Sequence, residues 1–215
     1  MSALKVGVTR FLGTNCDQDV KQWFTLNGHK ADYLWFEDRF DAKDYDMVVI
    51  PGGFSHGDYL RCGALAARTN VMKSVRDFAE KGKPVLGICN GFQILCEAEL
   101  LPGALLRNKN LRFIDQWQTL KVENTNNEFS KKMSPGQTIK LPIAHGEGQF
   151  YADGETLKKM VDQKQIWLTY ENNPNGSLLN ISGVTSEKHN ICGLMPHPER
   201  ALFEWMGSSD GGFFL

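Results

Sequence analysis

Two short runs of this sequence, Asp46-Met-Val-Val-Ile50 and Lys83-Pro-Val-Leu-Gly-Ile88, are apolar through their centres and lack the alternation of a strand with one wet face. A strand of that kind has to be covered on both sides, which is the signature of a parallel sheet lying under helices. The surrounding segments supply those helices. Leu4 to Thr9 reads as a strand, Cys16 to Leu26 as a helix with Val20 and Phe24 inward and Trp23 a further candidate, and Ala31 to Phe36 as a second strand. Helices are expected again from about Ala64 to Glu80 and from Asn90 to about Leu101. The predicted fold class is α/β, a mostly parallel twisted sheet with helices on both faces.

Beyond Pro102 the pattern changes. Asp115 to Val122 alternates, Thr138 to Ile143 is short and strand-like, and Asn124 to Pro135 is polar turn material. These predict antiparallel edge strands. Gln165 to Tyr170, Gly183 to Thr185 and the apolar Ile191 to Met195 are further strands, and a short helix and glycine-rich tail close the sequence. No repeat or low-complexity linker interrupts the 215 residues, so a single domain spanning 1–215 is expected.

Composition narrows the function. The 24 basic and 25 acidic residues leave a formal charge of −1 with no single-sign block, so neither nucleic acid nor an anionic membrane is an expected partner. No apolar run approaches the 18 or so residues that span a bilayer. The five cysteines are odd in number, form no C-x-x-C pair and follow no signal-like segment, which points to a reducing cytoplasm. No pair of Cys or His has metal-ligand spacing, so no metal is expected. Glycine, at 21 residues, exceeds the usual share of about 7%.

Several of those glycines flank one cysteine. Gly87-Ile-Cys-Asn-Gly91 lies between the strand ending at Ile88 and the helix that follows it, a G-x-S-x-G elbow with sulfur in place of oxygen. Glycines at that turn remove side chains that would collide, and the positive end of the helix favours thiolate, the nucleophilic form, at Cys89. The Asn90 amide beside it is placed to donate to an oxyanion. Pro51-Gly-Gly53, at the carboxyl end of another apolar strand, offers a second donor, although on its own such a tripeptide is simply a turn. Pro196-His-Pro-Glu199 supplies a base and its orienter. Each proline holds the preceding residue extended, so His197 and Glu199 point to one side and Glu199 can fix the imidazole tautomer. His145, in Ala-His-Gly-Glu-Gly, remains the rival base; His29, His56 and His189 have weaker settings.

With Gly87-Ile-Cys-Asn-Gly-Phe-Gln93, Pro51-Gly-Gly-Phe-Ser55 and Pro196-His-Pro-Glu-Arg200 in view, the chain resembles the class I (triad) glutamine amidotransferases, whose fold is flavodoxin-like. Gly52-Gly-Phe-Ser-His-Gly-Asp-Tyr-Leu-Arg61, Leu100-Leu-Pro-Gly103 with Arg107-Asn108, Ile143-Ala-His-Gly-Glu-Gly148 and Asn15-Cys-Asp17 narrow the similarity to the glutaminase subunits of phosphoribosylformylglycinamidine synthases. The resemblance implies Cys89 as nucleophile, His197 as base and acid, and Glu199 as orienter. It implies oxyanion donors at Gly53 and Asn90, and glutamine contacts at Gly53, Asn90, Gln93, Gly146 and Glu147. It also implies an ATP- and Mg-using synthetase partner and a small accessory subunit, with no cofactor in this chain. The chain contains no G-x-x-x-x-G-K-[ST] loop, so the ATP step falls to that partner. Two positions depart from the family pattern: His56 stands where tyrosine is more usual, and Leu12 where proline is. A stand-alone Cys-His-Glu hydrolase or peptidase and a non-catalytic binding subunit of the same fold are the competing readings.

Overall fold

The computed structural model describes residues 3–215. In chain order its elements are β1 (Lys5–Arg10), α1 (Asp17–Leu26), β2 (Lys30–Trp35), β3 (Met47–Ile50), α2 (Asn70–Glu80), β4 (Val85–Ile88) and α3 (Asn90–Glu97). There follow β5 (Ala104–Leu106), β6 (Ile114–Val122), β7 (Thr138–His145), β8 (Gln149–Tyr151), α4 (Gly154–Asp162), β9 (Ile166–Tyr170), β10 (Ile181–Thr185) and β11 (Ile191–Leu194). Among the described residues one nine-stranded sheet runs β2-β1-β3-β4-β11-β10-β9-β6-β7, and β5 pairs with β8 in a separate ribbon.

The sheet is parallel from β2 to β11 and antiparallel from β11 to β7. This is the expected α/β architecture with its antiparallel edge. β3, β4 and β11 are buried at every residue, as unalternating apolar runs require. α1 packs on β1 and β2 through Val20, Trp23 and Phe24, and α3 packs on β3, β4 and β11. The antiparallel run curls back on the parallel half. His197 N–H, just past β11, donates to Pro142 C=O of β7 at 2.9 Å although β7 ends the sheet. The carboxyl ends of β3, β4, β11 and β7 thereby meet at one place.

The helices differ from expectation at three places, and the β5 to β8 ribbon was not expected. The helix expected from Ala64 begins at Asn70, because Gly63 (φ +83°) first carries the chain so close to α3 that a Cβ there would lie 2.8 Å from Ile94 N. Only a single turn of 3₁₀-helix, Ala66–Arg68, forms before α2. α3 stops at Glu97, short of Leu101, where Glu99 turns left-handed (φ 56°). α4 was not foreseen: it buries only Met160 and starts from Asp153, whose side chain accepts from Glu155 N–H and Thr156 N–H.

Candidate active site

Cys89 sits at the cap of α3 with φ 51° and ψ −106°, a conformation that costs free energy in a non-glycine residue. The surroundings enforce it. A Cβ on Gly87 would lie 2.6 Å from Gly91 O, and one on Gly91 would lie 1.9 Å from Ile50 O, so both flanking glycines are required for strand and helix to approach this closely. Cys89 N–H donates to Leu194 C=O at 2.8 Å, which registers the elbow against β11. The Cys89 thiol is directed toward Ala144 C=O, 3.7 Å away.

His197 shares the wall of one cavity with Cys89 and is bonded to Glu199. Nδ1 of His197 bonds Oε1 of Glu199 at 2.6 Å, with both side chains almost free of solvent. The other ring nitrogen, Nε2, is buried and has no partner among the described residues. Burial alone would lower the His197 pKa, but the facing charges of Glu199 and Cys89 outweigh it and hold the imidazole well above its ordinary range. His145 is a different case. It is buried, its Nδ1 lies 3.1 Å from Asn108 Oδ1, and burial together with the charge of His197 pushes it down to about 4. It stays neutral at physiological pH, and the partner of its Nδ1 is an amide oxygen, not a carboxylate.

Gly53 (φ +151°) packs so tightly on the loop after β1 that a Cβ would lie 2.8 Å from Thr14 Cα. The bridge there is made by Phe54 N–H to Gly13 C=O, and Gly53 N–H has no acceptor among the described residues. Asn90 N–H, in the first turn of α3, likewise has no partner. Asn90 and Gln93 are largely engaged by the protein. Asn90 Oδ1 accepts from Ser55 N–H at 3.1 Å, Asn90 Nδ2 donates to Gln93 Oε1 at 2.9 Å, and Gln93 Nε2 donates to Glu147 C=O at 2.6 Å. Their amides therefore tie the elbow to the loops at 55 and 147. Asn108, fully buried, binds the latter from below through His145 C=O, Gly148 N–H and Gly146 C=O.

Cys89, Gly53, Gln93, Gly146, Glu147 and His197 lie in the wall of a cavity of about 570 Å³, whereas Asn90 and Glu199 sit behind that wall. It also contains residues that sequence reasoning left without a role. Cys16 is one: its Sγ accepts from Arg200 Nη2 at 3.1 Å, and Arg200 in turn pairs with Asp19 at 3.1 Å. Ligand atoms of Cys16, His197 and Glu199 lie within 4.8 Å of one another, but the 2.6 Å bond already commits Glu199 to the imidazole. Asp58 and Cys62 are further wall residues. The two departures from the family pattern meet each other: His56 N–H donates to Leu12 C=O, and the His56 ring stands edge-on to Phe36 with centroids 5.3 Å apart.

Comparison with known proteins gives the family of the chain. Residues 3–211 match the model of the CobB/CobQ-like glutamine amidotransferase domain. The chain is 51% identical over 212 residues to phosphoribosylformylglycinamidine synthase subunit PurQ of Helicobacter hepaticus, covering 99% of this chain and 96% of that one. It is also 51% identical over 218 residues to the PurQ subunit of Prochlorococcus marinus, covering 100% and 97%. Among solved structures, that of PurLQS from Thermotoga maritima superposes with a TM-score of 0.91 at 41% identity, over 99% of this chain and 96% of that chain. A glutamine amidotransferase from the same organism, 20% identical with a TM-score of 0.62 over 94% and 78%, shares the fold.

Proposed function

Since the chain belongs to the CobB/CobQ-like glutamine amidotransferases, and within them to the PurQ subunits of phosphoribosylformylglycinamidine synthase, we propose that Cys89, His197 and Glu199 hydrolyse L-glutamine and that the ammonia is used by a synthetase subunit. The observation that carries this reading is the buried 2.6 Å His197 to Glu199 bond presenting a free Nε2 beside a strained elbow cysteine.

The Cys89 thiolate attacks the side-chain amide carbonyl of glutamine, and the carbonyl π electrons move onto oxygen. Gly53 N–H and Asn90 N–H, both lacking other acceptors, receive that oxyanion; a donor of this kind is worth about 3–4 kcal/mol in the transition state. Protonated His197 gives its Nε2 proton to the departing nitrogen, ammonia leaves, and a γ-glutamyl thioester remains on Cys89. Neutral His197 then takes a proton from water, whose oxygen attacks the thioester to release glutamate and the thiolate. Glu199 holds Nδ1–H throughout, so Nε2 is always the working nitrogen. The glutamine is seated by Gly53, Asn90, Gln93, Gly146 and Glu147.

Residues 1–215 act as one amidotransferase domain. ATP and Mg belong to the partner, which converts formylglycinamide ribonucleotide to its amidine with the ammonia supplied, in a complex that includes a small accessory subunit as in PurLQS. Among the described residues no helix is long and apolar enough to cross a membrane, and five unpaired cysteines suit the reducing cytoplasm. The test is Cys89→Ala in the assembled complex. Loss of glutamine-dependent synthesis with ammonia-dependent synthesis intact is expected. Retained glutamine use would refute the reading, and efficient glutaminase or peptidase turnover by the chain alone would favour a stand-alone hydrolase.

A further inference from the structure

The wall of the cavity includes an acidic corner, Asp58 beside Glu147, whose aspartate the steps above do not use. It is built by the loop after Phe54, where His56, Gly57 and Asp58 are left-handed in succession (φ 53°, 69° and 54°). Two of these are not glycine, so the loop holds a costly backbone that the surrounding structure must enforce. The result places Asp58 in the cavity wall with Cys62, Glu147 and Gln93. Asp58 Oδ1 is sealed from solvent and has no hydrogen-bond partner among the described residues. Nor does any cation pair with Asp58: Arg61, close by in sequence, is taken by Glu97 through two 2.6 Å bonds, and Arg107 lies 3.7 Å from Glu147. Burial first, and then the Glu147 charge, push the Asp58 carboxyl up, and the same two carboxylates, after burial, push the Cys62 thiol up. Among the described residues Glu147 meets the exposed Arg107, while Asp58 beside it, with its buried orphan oxygen, lacks a positive partner.

The proposed reaction brings one. Glutamine is a zwitterion whose only cation is its α-ammonium, with three N–H donors. The same cavity wall carries Arg107 and Arg112, which suit the α-carboxylate. We propose that Asp58, with Glu147 beside it, seats the α-ammonium of the substrate and so selects a free amino acid over a glutamine side chain within a polypeptide. This inference rests on the glutaminase reading above, and Asp58 acts here as a specificity determinant that binds the end of the substrate away from the reacting amide.

The experiment compares L-glutamine with 4-carbamoylbutanoate, the same molecule without its α-amino group, as substrates of the assembled complex. The wild-type complex is expected to prefer glutamine in kcat/KM, and Asp58→Asn to lose about ten- to a hundredfold on glutamine, mostly in KM, the scale of one charge-assisted hydrogen bond. The same variant should change kcat/KM for the analogue far less, so that the preference collapses, and Asp58→Glu should restore part of it. An equal loss on both substrates would mean that Asp58 only supports the loop, and would overturn the proposal. So would a wild-type complex that uses the analogue as well as glutamine, a result that needs no folded variant. Failure of the glutaminase reading shows separately, as glutamine-dependent activity surviving in Cys89→Ala.

Discussion

Glu199→Gln is the substitution that most directly probes the catalytic geometry. The carboxylate accepts from His197 Nδ1 at 2.6 Å where neither side chain meets solvent, so water cannot replace it. The second oxygen, Oε2, is also buried and has no partner among the described residues. A glutamine side chain must therefore either bury an unpaired NH₂ at that position or turn it toward Nδ1, forcing the ring proton onto Nε2 where it blocks the base. Losing a charge-assisted bond costs about 1.5–3 kcal/mol, which at about 1.4 kcal/mol per decade is a ten- to a hundredfold loss of rate. The wrong tautomer raises the toll to about 10⁴-fold, as the equivalent change does in serine proteases. Glutamine-dependent kcat/KM of the assembled complex should fall by about 10 to 10⁴ while ammonia-dependent synthesis is preserved. The pH profile gives a second readout. Glu199 helps raise the folded-state His197 pKa, so the stability this provides is complete below the unfolded value of about 6.5 and is lost as pH rises through the folded value. The variant should therefore be less stable than wild type in mildly acid solution and approach it in alkali, and the alkaline limb of its rate profile should move to lower pH. A variant with more than a third of wild-type activity and an unmoved profile would refute the assignment of Glu199 as orienter.

Three further outcomes are expected. His145 is pushed down to about 4, so its neutral form contributes stability above pH about 6.5 that is lost as pH falls toward 4; its imidazole resonances should show no titration between pH 6 and 8. Gly91→Ala would bring a Cβ to 1.9 Å from Ile50 O and should lower stability by about 3 kcal/mol or prevent folding, whereas Gly154→Ala meets nothing within 4 Å and should leave the urea midpoint within error. Iodoacetamide near neutral pH should label Cys89 ahead of Cys16, Cys62, Cys96 and Cys192, whose thiols burial pushes up; peptide mass spectrometry measures the order.

The parallel half of the sheet and the pairing of His197 with Glu199 were legible because their signals are local. The apolar runs at 47–50 and 85–88 announce covered strands, and two prolines with an intervening His and a following Glu fix their own geometry within four residues. Helix α4 and the β5 to β8 ribbon were not legible. α4 shows one buried side chain in nine residues, and the ribbon's strands are three residues each, too short for a period to register. The alanines at 64, 66 and 67 suggested a helix, but the close approach of Gly63 to α3 overrode their propensity. In the site, Cys16 meets Arg200 across 184 residues, and Asp58 enters the wall through left-handed backbone that no composition rule predicts.

β11 lies between β4 and β10 in the middle of the sheet, yet it is the last strand to be synthesised. Until residues 191–194 leave the ribosome, the half-sheet ending at β4 offers a bare, fully apolar edge, and Cys89 has no His197 beside it. A nascent or truncated chain therefore lacks the His197 to Glu199 pair. It is also exposed to misassociation through that edge, which makes the closing insertion of β11 the step where a chaperone would be of most use.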